Sequence, residues 1–416
     1  MAARKDASVL GEIVRVLLLT AELALAVPLA YLLVLSISAL VAERHLRRRA
    51  RLPVADDGRA LPHIAILIPA HDEEAVIALA IQSCRALDYP AERFATIVVA
   101  DNCDDATAPA ARRAGALVFE RRSAGERAKG YALRWLLERL EAEGRCFDGY
   151  LIVDADSQLS PNVLREMAAA LAGGALVAQA QYRVLNGDDA WTAGLRAVAI
   201  ALFNHLRPLG RTCFGWSAGL KGNGMCFSRA VFERFGWGSY SLAEDAEYHI
   251  QLISAGIRVA YVPAALVSAE MPVSLGQART QQARWERGRI ELARAWIGPL
   301  VRGFLRTGDL ARLDVAMEIV LPPLSLVVAV VAGCTALAAL LRWAPGLWLA
   351  LGLCVALSLH VLIGAALARL SARAYLALLR APLFIAWKCW VYGAALLGRR
   401  SGPWVRTERV EVNRNT

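Results

Sequence analysis

Three stretches without one charged side chain decide what this chain can fold into: residues 23–42, 319–341 and 343–368, which are twenty, twenty-three and twenty-six residues long. An uncharged helix of about 18 or more residues crosses a hydrocarbon core of about 30 Å, and buried helices of soluble proteins usually run shorter. The chain's 57% hydrophobic content is concentrated in these runs. The first is not a cleaved signal peptide. It begins too far from the N-terminus, exceeds a signal core in length, and leads into Arg44-His45-Leu46-Arg47-Arg48-Arg49 rather than a small-residue cleavage site.

Basic flanks give the orientation. Arg44, Arg47, Arg48, Arg49 and Arg51 follow the first run, against Arg4, Lys5 and Arg15 before it, so the long middle region is expected in the cytoplasm. The expected organisation is a transmembrane helix over 1–45, a basic connector over 46–61, and a cytoplasmic α/β domain over 62–290. An amphipathic interfacial segment over 291–314 follows, then two transmembrane helices over 315–370, then an interfacial helix and cytoplasmic tail over 371–416. Residues 374–398 are apolar but carry Arg380, Pro382 and Lys388. They read as an interfacial helix anchored by Trp387, Trp390 and Tyr392, with Arg380 and Lys388 reaching to headgroups. Three spans are expected, with four as the alternative. The setting that fits is a bacterial inner membrane.

The net charge of +10 invites a nucleic-acid reading. Much of the excess lies beside the apolar runs, where anionic membrane lipids are the nearer partner. No zinc spacing, RNA-binding aromatic pattern or helix-turn-helix signature accompanies it, so nucleic acid is excluded as a partner. The eight cysteines are scattered with no C-x-x-C, and no structural disulfide is expected.

From Pro62 the sequence alternates short apolar runs (63–69, 95–100, 117–120, 150–154) with helical stretches (73–85, 106–113, 129–143). Near-continuous apolar strands separated by helices describe a mostly parallel sheet covered on both faces. Ligands bind beyond the carboxyl ends of such strands. Acidic residues follow there: Asp72-Glu73, Asp101-Asn102 and Asp154-Ala155-Asp156.

Asp154 and Asp156, one residue apart after an apolar strand, offer hard oxygen ligands that suit Mg²⁺ or Mn²⁺. Such an ion neutralises the charge of a departing diphosphate. Gln281 and Arg284 are three apart, hence on one face of a helix, where the arginine can clamp a pyrophosphate with paired donors. The indole of Trp285 can stack on a ligand ring or wall in the site. Gly222-Asn223-Gly224-Met225 would let backbone approach a ligand closely. Asp104 and Asp105 suit an Asx-turn or helix cap. No Gly-x-Ser-x-Gly or Walker signature is present, and His249 reads as structural.

Taken in order, Asp101, Asp154-Ala155-Asp156, Glu244-Asp245 and Gln281-Gln282-Ala283-Arg284-Trp285 resemble the motifs of membrane-bound family 2 glycosyltransferases. These include the cellulose, hyaluronan and poly-N-acetylglucosamine synthases and the ceramide glucosyltransferases. The resemblance covers roughly residues 62–290, and Trp404-Val405-Arg406-Thr407-Glu408-Arg409 resembles the gating element of the same family. It implies a GT-A-type, Rossmann-like domain inserted between transmembrane helices. It implies a metal-dependent, inverting transfer of sugar from a UDP-sugar to a growing β-linked polysaccharide, or to a membrane lipid. A non-catalytic scaffold is the remote third reading. A homo-oligomer or partner subunit would be needed to complete a polymer channel.

The resemblance also implies roles. Asp245 would be the base. Asp101, Glu73, Lys129, Asp154, Gln281 and Arg284 would bind the nucleotide sugar. Trp285, Gly222, Gly224 and Glu244 would meet the acceptor. Two departures stand out: Ala128 where the family has a glycine before the lysine, and Ala243 where it often has threonine.

Overall fold

The computed structural model describes residues 2–49 and 60–396. The connector residues 50–59 and the element at 404–409 lie outside them. The middle of the chain builds one eight-stranded sheet of order β3-β2-β1-β4-β7-β6-β8-β5. The strands are β1 (Ile64–Ala70), β2 (Phe94–Asp101), β3 (Leu117–Arg121), β4 (Gly149–Ile152), β5 (Ser157–Leu159), β6 (Val177–Val184), β7 (Met225–Ser228) and β8 (Val259–Ala269). β1 pairs in parallel with β2 and β4, β2 with β3, and β6 with β8. β7 runs antiparallel between β4 and β6, and β5 pairs antiparallel with β8. This is the α/β, mixed and mostly parallel sheet expected from the sequence.

The helices are α1 (Ala2–Arg49), α2 (Ile77–Arg85), α3 (Thr107–Arg113), α4 (Lys129–Ala142), α5 (Val163–Ala172), α6 (Trp191–Ala201), α7 (Arg207–Thr212), α8 (Arg229–Phe235) and α9 (Glu244–Ser254). They continue with α10 (Leu275–Thr307), α11 (Leu310–Val320), α12 (Leu324–Leu340), α13 (Ala344–Leu367), α14 (Ala372–Ala377) and α15 (Ala381–Leu396). A π-helical segment, Leu202–Leu206, joins α6 to α7.

Alternation along β1 explains the two cores. Ile64, Ile66 and Ile68 point into a core shared with Ile77, Ile81 and Met167 on α2 and α5. Ala65 and Leu67 point the other way, toward Leu133, Leu136, Val231 and Tyr248 on α4, α8 and α9. Because successive strand side chains face opposite sides, a strand buried on both faces must be apolar throughout.

Among the described residues, three helical stretches are long and apolar enough to cross a membrane: Val9–Arg48, Ala344–Leu367 and Ala372–Val391. The second run expected from the sequence, 319–341, is not one straight helix. It breaks between α11 and α12, which are bent by 71° and could make a fourth, broken crossing. Pro322-Pro323 accounts for the break. Proline lacks the N–H and biases its predecessor away from the helix, and Leu321 is extended at ψ 117°. The tail helix departs from expectation too. Lys388 does not reach outward for a headgroup: its half-buried ammonium sits 4.0 Å from Glu286 of α10. α1 is 48 residues long, about 72 Å at the helical rise, so it projects well past a 30 Å apolar core.

The apolar helices pack directly on one another. Leu29 and Leu32 of α1 meet Val327 and Val331 of α12 and Leu353 and Leu357 of α13. The sheet domain joins them through α7. At Gly210 a Cβ would collide with the Leu35 carbonyl of α1, so only glycine lets the helices cross there. The next residue, fully buried Arg211, reaches Asp314 at 2.9 Å and Glu318 at 2.5 Å on α11. The Tyr31 hydroxyl of α1 accepts from Arg211 at 2.9 Å and donates to Asp314 at 2.6 Å. Removing one partner of a buried ion pair strands the other charge, at a cost of about 3–5 kcal/mol. Asp314→Ala should lower unfolding stability in detergent by that amount, and adding Arg211→Met should recover most of it. An unchanged midpoint for Asp314→Ala would show that this cluster does not hold the two parts together.

Candidate active site

β1, β2 and β4 run parallel, so the residues that follow them gather at one edge of the sheet. β7 then delivers a segment distant in sequence to the same edge. Its first residue, Met225, pairs with Ile152 at the end of β4, and the Gly224 N–H donates to the Ile152 carbonyl at 2.9 Å. The loop 221–224 therefore lies beside Asp154. Gln179 of β6, fully buried, fixes that loop. Its amide donates to the Asn223 carbonyl at 2.8 Å and accepts from the Lys221 N–H at 3.0 Å. The Asn223 side chain accepts from the Asp154 N–H at 3.2 Å and donates to Ser157 Oγ at 2.7 Å. Ser157 in turn donates to Asp156 at 3.3 Å. Sequence reasoning missed Gln179 and Asn223, although an asparagine between two glycines was a visible signal.

Lys129, the first residue of α4, is the hub. Its ammonium donates to Asp154 Oδ1 and to the Gly222 carbonyl, both at 2.5 Å. Burial alone would lower its pKa, but Asp154, Glu244 and Asp245 together raise it, so it stays charged. On the other side of Gly222 lies Asp245: a Cβ at that glycine would sit 3.4 Å from Asp245 Oδ2. Gly222 and Gly224 both adopt positive φ, +77° and +70°. At Gly224 a Cβ would also be within 3.0 Å of Ala180 and Val267. Side chains are thus excluded at both positions.

Glu244 and Asp245 open α9, where the helix dipole favours negative charge. Their environments differ. Burial raises the pKa of Glu244, and the adjacent Asp245 charge adds to it. Burial raises Asp245 as well, but the Ala246 N–H, Lys129 and Lys221 oppose that rise. Of the two, Asp245 has the neighbours that keep a carboxylate ionised. One turn on, His249 shares a 2.8 Å hydrogen bond with Ser217, and burial lowers its pKa to about 3. It is a neutral structural imidazole, as the sequence suggested.

Asp101 ends β2 and is buried, with Arg121 donating to its carboxylate at 2.7 Å. Arg121 also grips the Glu126 carboxylate at 2.7 Å, and Glu126 accepts from Arg134 at 2.7 Å. This chain orders the segment that leads into Lys129. Arg121 was not anticipated, since in sequence it looks like one more surface arginine. Half-buried Glu73 has its N–H bonded to Thr107 at 2.7 Å, and its carbonyl accepts from Val76 and Ile77 at the start of α2. Asp105 accepts from the Glu74 and Thr107 N–H groups, which is the turn role expected of it.

α10 carries Gln281, Arg284 and Trp285, and Trp285 is 41% exposed. Gly288, less than one turn on, packs so closely that a Cβ would lie 3.2–3.3 Å from Leu242 and Ala243. The helix is thereby pressed against the entry to α9.

Asp154 and Asp156 have the chemistry of a divalent-cation site: two carboxylates one residue apart at a strand end, with Lys129 and Ser157 bonded to them. A second convergence was not foreseen. His71, Asp72 and Cys103 lie with ligand atoms within 4.8 Å of one another. Burial pushes the Cys103 thiol up to about 11, and Asp72 accepts from the Asp104 N–H at 2.8 Å, so this group serves the turn after β1.

The chain is similar in sequence to known glycosyltransferases. Glucomannan 4-beta-mannosyltransferase 1 of Oryza sativa subsp. japonica is 26% identical over 268 residues, covering 60% of this chain and 51% of its own length. Beta-monoglucosyldiacylglycerol synthase of Synechocystis sp. is 29% identical over 204 residues, covering 46% and 40%. The chain spans about half the length of the curated relatives it matches. The solved mannosyltransferase PcManGT from Pyrobaculum calidifontis, in complex with GDP-Man and Mn²⁺, aligns over 84% of this chain and 98% of its own. That alignment has a TM-score of 0.47 at 17% identity. With residues 62–288 matching the family described as glycosyltransferase like family 2, the chain belongs to the family 2 glycosyltransferases.

Proposed function

We propose that this chain is an inverting membrane glycosyltransferase that moves a sugar from a nucleotide-diphosphate sugar, in the first instance a UDP-sugar, to an acceptor hydroxyl at the cytoplasmic face of a bacterial inner membrane. The observation that carries this is the Lys129 ammonium, which joins Asp154 to Gly222 with Asp245 behind the glycine. Donor-side and acceptor-side carboxylates thus lie within the field of one half-buried cation. In the reaction, the acceptor oxygen bonds to the anomeric carbon as the bond from that carbon to the diphosphate oxygen breaks. The nucleoside diphosphate leaves with the electron pair, and Asp245 takes the acceptor proton. Asp154 and Asp156 would hold a Mg²⁺ or Mn²⁺ ion, which would supply charge neutralisation for the leaving diphosphate. Lys129 holds Asp154 in place, and Asp101, oriented by Arg121, accepts an imino N–H of the base. Gln281 and Arg284, whose side chains lie outside the described ones, are assigned to the donor by the family resemblance, as is Glu73 in the turn after β1. Glu244, Gly222, Gly224 and Trp285 face the acceptor.

The acceptor in the first reading is the end of a β-linked polysaccharide, with residues 62–290 as the catalytic domain between transmembrane helices. A single-sugar transfer to a membrane lipid is the second. Directly packed apolar helices, three or four crossings in all, favour it, because a polymer channel would need further helices from an oligomer or a partner subunit. Mass analysis of products from purified protein, membranes and a panel of UDP-sugars separates the two. A ladder of oligomers supports polymer extension, a lipid carrying one sugar supports the second reading, and no transfer from any nucleotide sugar sinks both.

Asp245→Asn keeps the side chain's shape and removes the proton acceptor. Turnover should fall by about 10²-fold or more, with nucleotide binding retained. Near-normal turnover would remove Asp245 from the role of base. The metal assignment is tested separately. Asp156→Ala should abolish activity along with its dependence on Mg²⁺ or Mn²⁺, and full activity of the wild type in excess EDTA would overturn it.

A further inference from the structure

A buried cation without a counter-ion stands at the junction of the catalytic domain and the apolar helices. Arg207, at the start of α7, is 7% exposed. Its guanidinium lies 5.6 Å from the Phe203 ring centroid and makes no hydrogen bond or ion pair among the described residues. Its neighbours do not relieve it. Asp314 is committed to Arg211 and Tyr31, and Glu318 to Arg211 and Lys221. Glu286 is committed to Arg289 of α10. Arg211 and Arg289 lie near enough to act on Arg207 as like charges, with Glu318 and Tyr31 acting against them. Each of these carboxylates is thus already engaged by another cation, and Arg207 is left without a paired carboxylate. Leaving a buried charge uncompensated is strongly unfavourable, so an arginine in this position calls for an anion from outside the described chain.

The position says which kind of anion. α7 crosses α1 at Gly210 and Leu35, and the preceding Leu202 packs on Gly364 near the end of α13. Arg207 thus lies where helices able to cross a membrane meet the catalytic domain. Phe203, 40% exposed, forms the outer wall and carries the Lys221 ammonium 3.7 Å from its ring centre. Lys221 in turn precedes Gly222, the residue against which Asp245 packs. We propose that Arg207, walled by Phe203 and backed by Arg211 and Arg289, is the anion subsite for the phosphate group of a membrane lipid, on the acceptor side of the active site. A guanidinium offers a phosphate paired donors, and the exposed phenyl ring suits the adjoining glycerol and acyl carbons. The subsite goes beyond the proposed transfer and does not depend on which sugar is moved.

The test uses the detergent-solubilised full chain titrated with a short-chain phosphatidic acid, the matching diacylglycerol and inorganic phosphate. Binding is read by native mass spectrometry and thermal unfolding. Phosphatidic acid should bind the wild type one to one, at least tenfold more weakly to Arg207→Met, and partly recover with Arg207→Lys. Arg113→Gln, at an exposed arginine of α3 in the sheet domain, should leave it unchanged. Without lipid, Arg207→Met should unfold at or above the wild-type temperature, since an uncompensated charge has been removed. A large drop there would mean that the protein neutralises Arg207 by itself, and would overturn the proposal. So would equal binding to Arg207→Met or equal binding of diacylglycerol. Inorganic phosphate binding as tightly as the lipid would leave a free-anion site and refute the lipid. UDP displacing the lipid from the wild type would assign Arg207 to the donor instead. UDP binding that stays constant across all variants keeps a failure here distinct from a failure of the donor site.

Discussion

A guanidinium at zero exposure has to be neutralised where it stands, and Arg211 is such a group, enclosed between the sheet domain and the apolar helices. Its partners come from different parts of the chain: Tyr31 from the N-terminal helix, Asp314 and Glu318 from α11. These pairs tie α1, α7 and α11 together at one buried point. Glu318 also accepts Lys221 at 3.0 Å, and Lys221 belongs to the loop that touches Asp245. Two residues of one short helix thus connect the position of the membrane helices to the geometry of the candidate base. Buried ion pairs seldom add net stability, but a half-broken one is costly, which makes such a cluster a device for register more than for strength.

The sheet was legible because its strands are apolar on both faces and end in acids. Residues 63–69 and 95–100 are near-continuous in Ile, Val, Leu and Ala, and the structure places β1 and β2 there within a residue or two. β7 was not legible. Its four residues carry no periodic signal, and its antiparallel pairing with β4 depends on contacts made across about seventy residues. That pairing brings Gly222 to Lys129, so the composition of the site was visible while its closure was not. Lys221, Arg207 and Arg211 are hidden for a related reason. In sequence they are ordinary basic residues, and only tertiary burial turns them into a cluster. The Pro322-Pro323 break was in plain sight, but counting uncharged residues gives two prolines the same weight as two leucines.

Adjacent carboxylates raise the question of how one base is selected from two. Glu244 and Asp245 share a helix N-terminus and the same burial, and like charges so close oppose joint ionisation. What separates them is the cations each one meets. Lys129 acts on both, but Lys221 acts on Asp245, which also has the Ala246 N–H. The field of these cations therefore falls more on Asp245 than on Glu244, which suits Asp245 to the role proposed for it. Lys221 can play this part only because Glu318 and the face of Phe203 hold its buried ammonium in place. The candidate base, the seating of the apolar helices and the unpaired Arg207 are then linked through one residue. Lys221 meets Glu318 on one side and the exposed Phe203 ring, which Arg207 also approaches, on the other, and its backbone leads into the glycine beside Asp245.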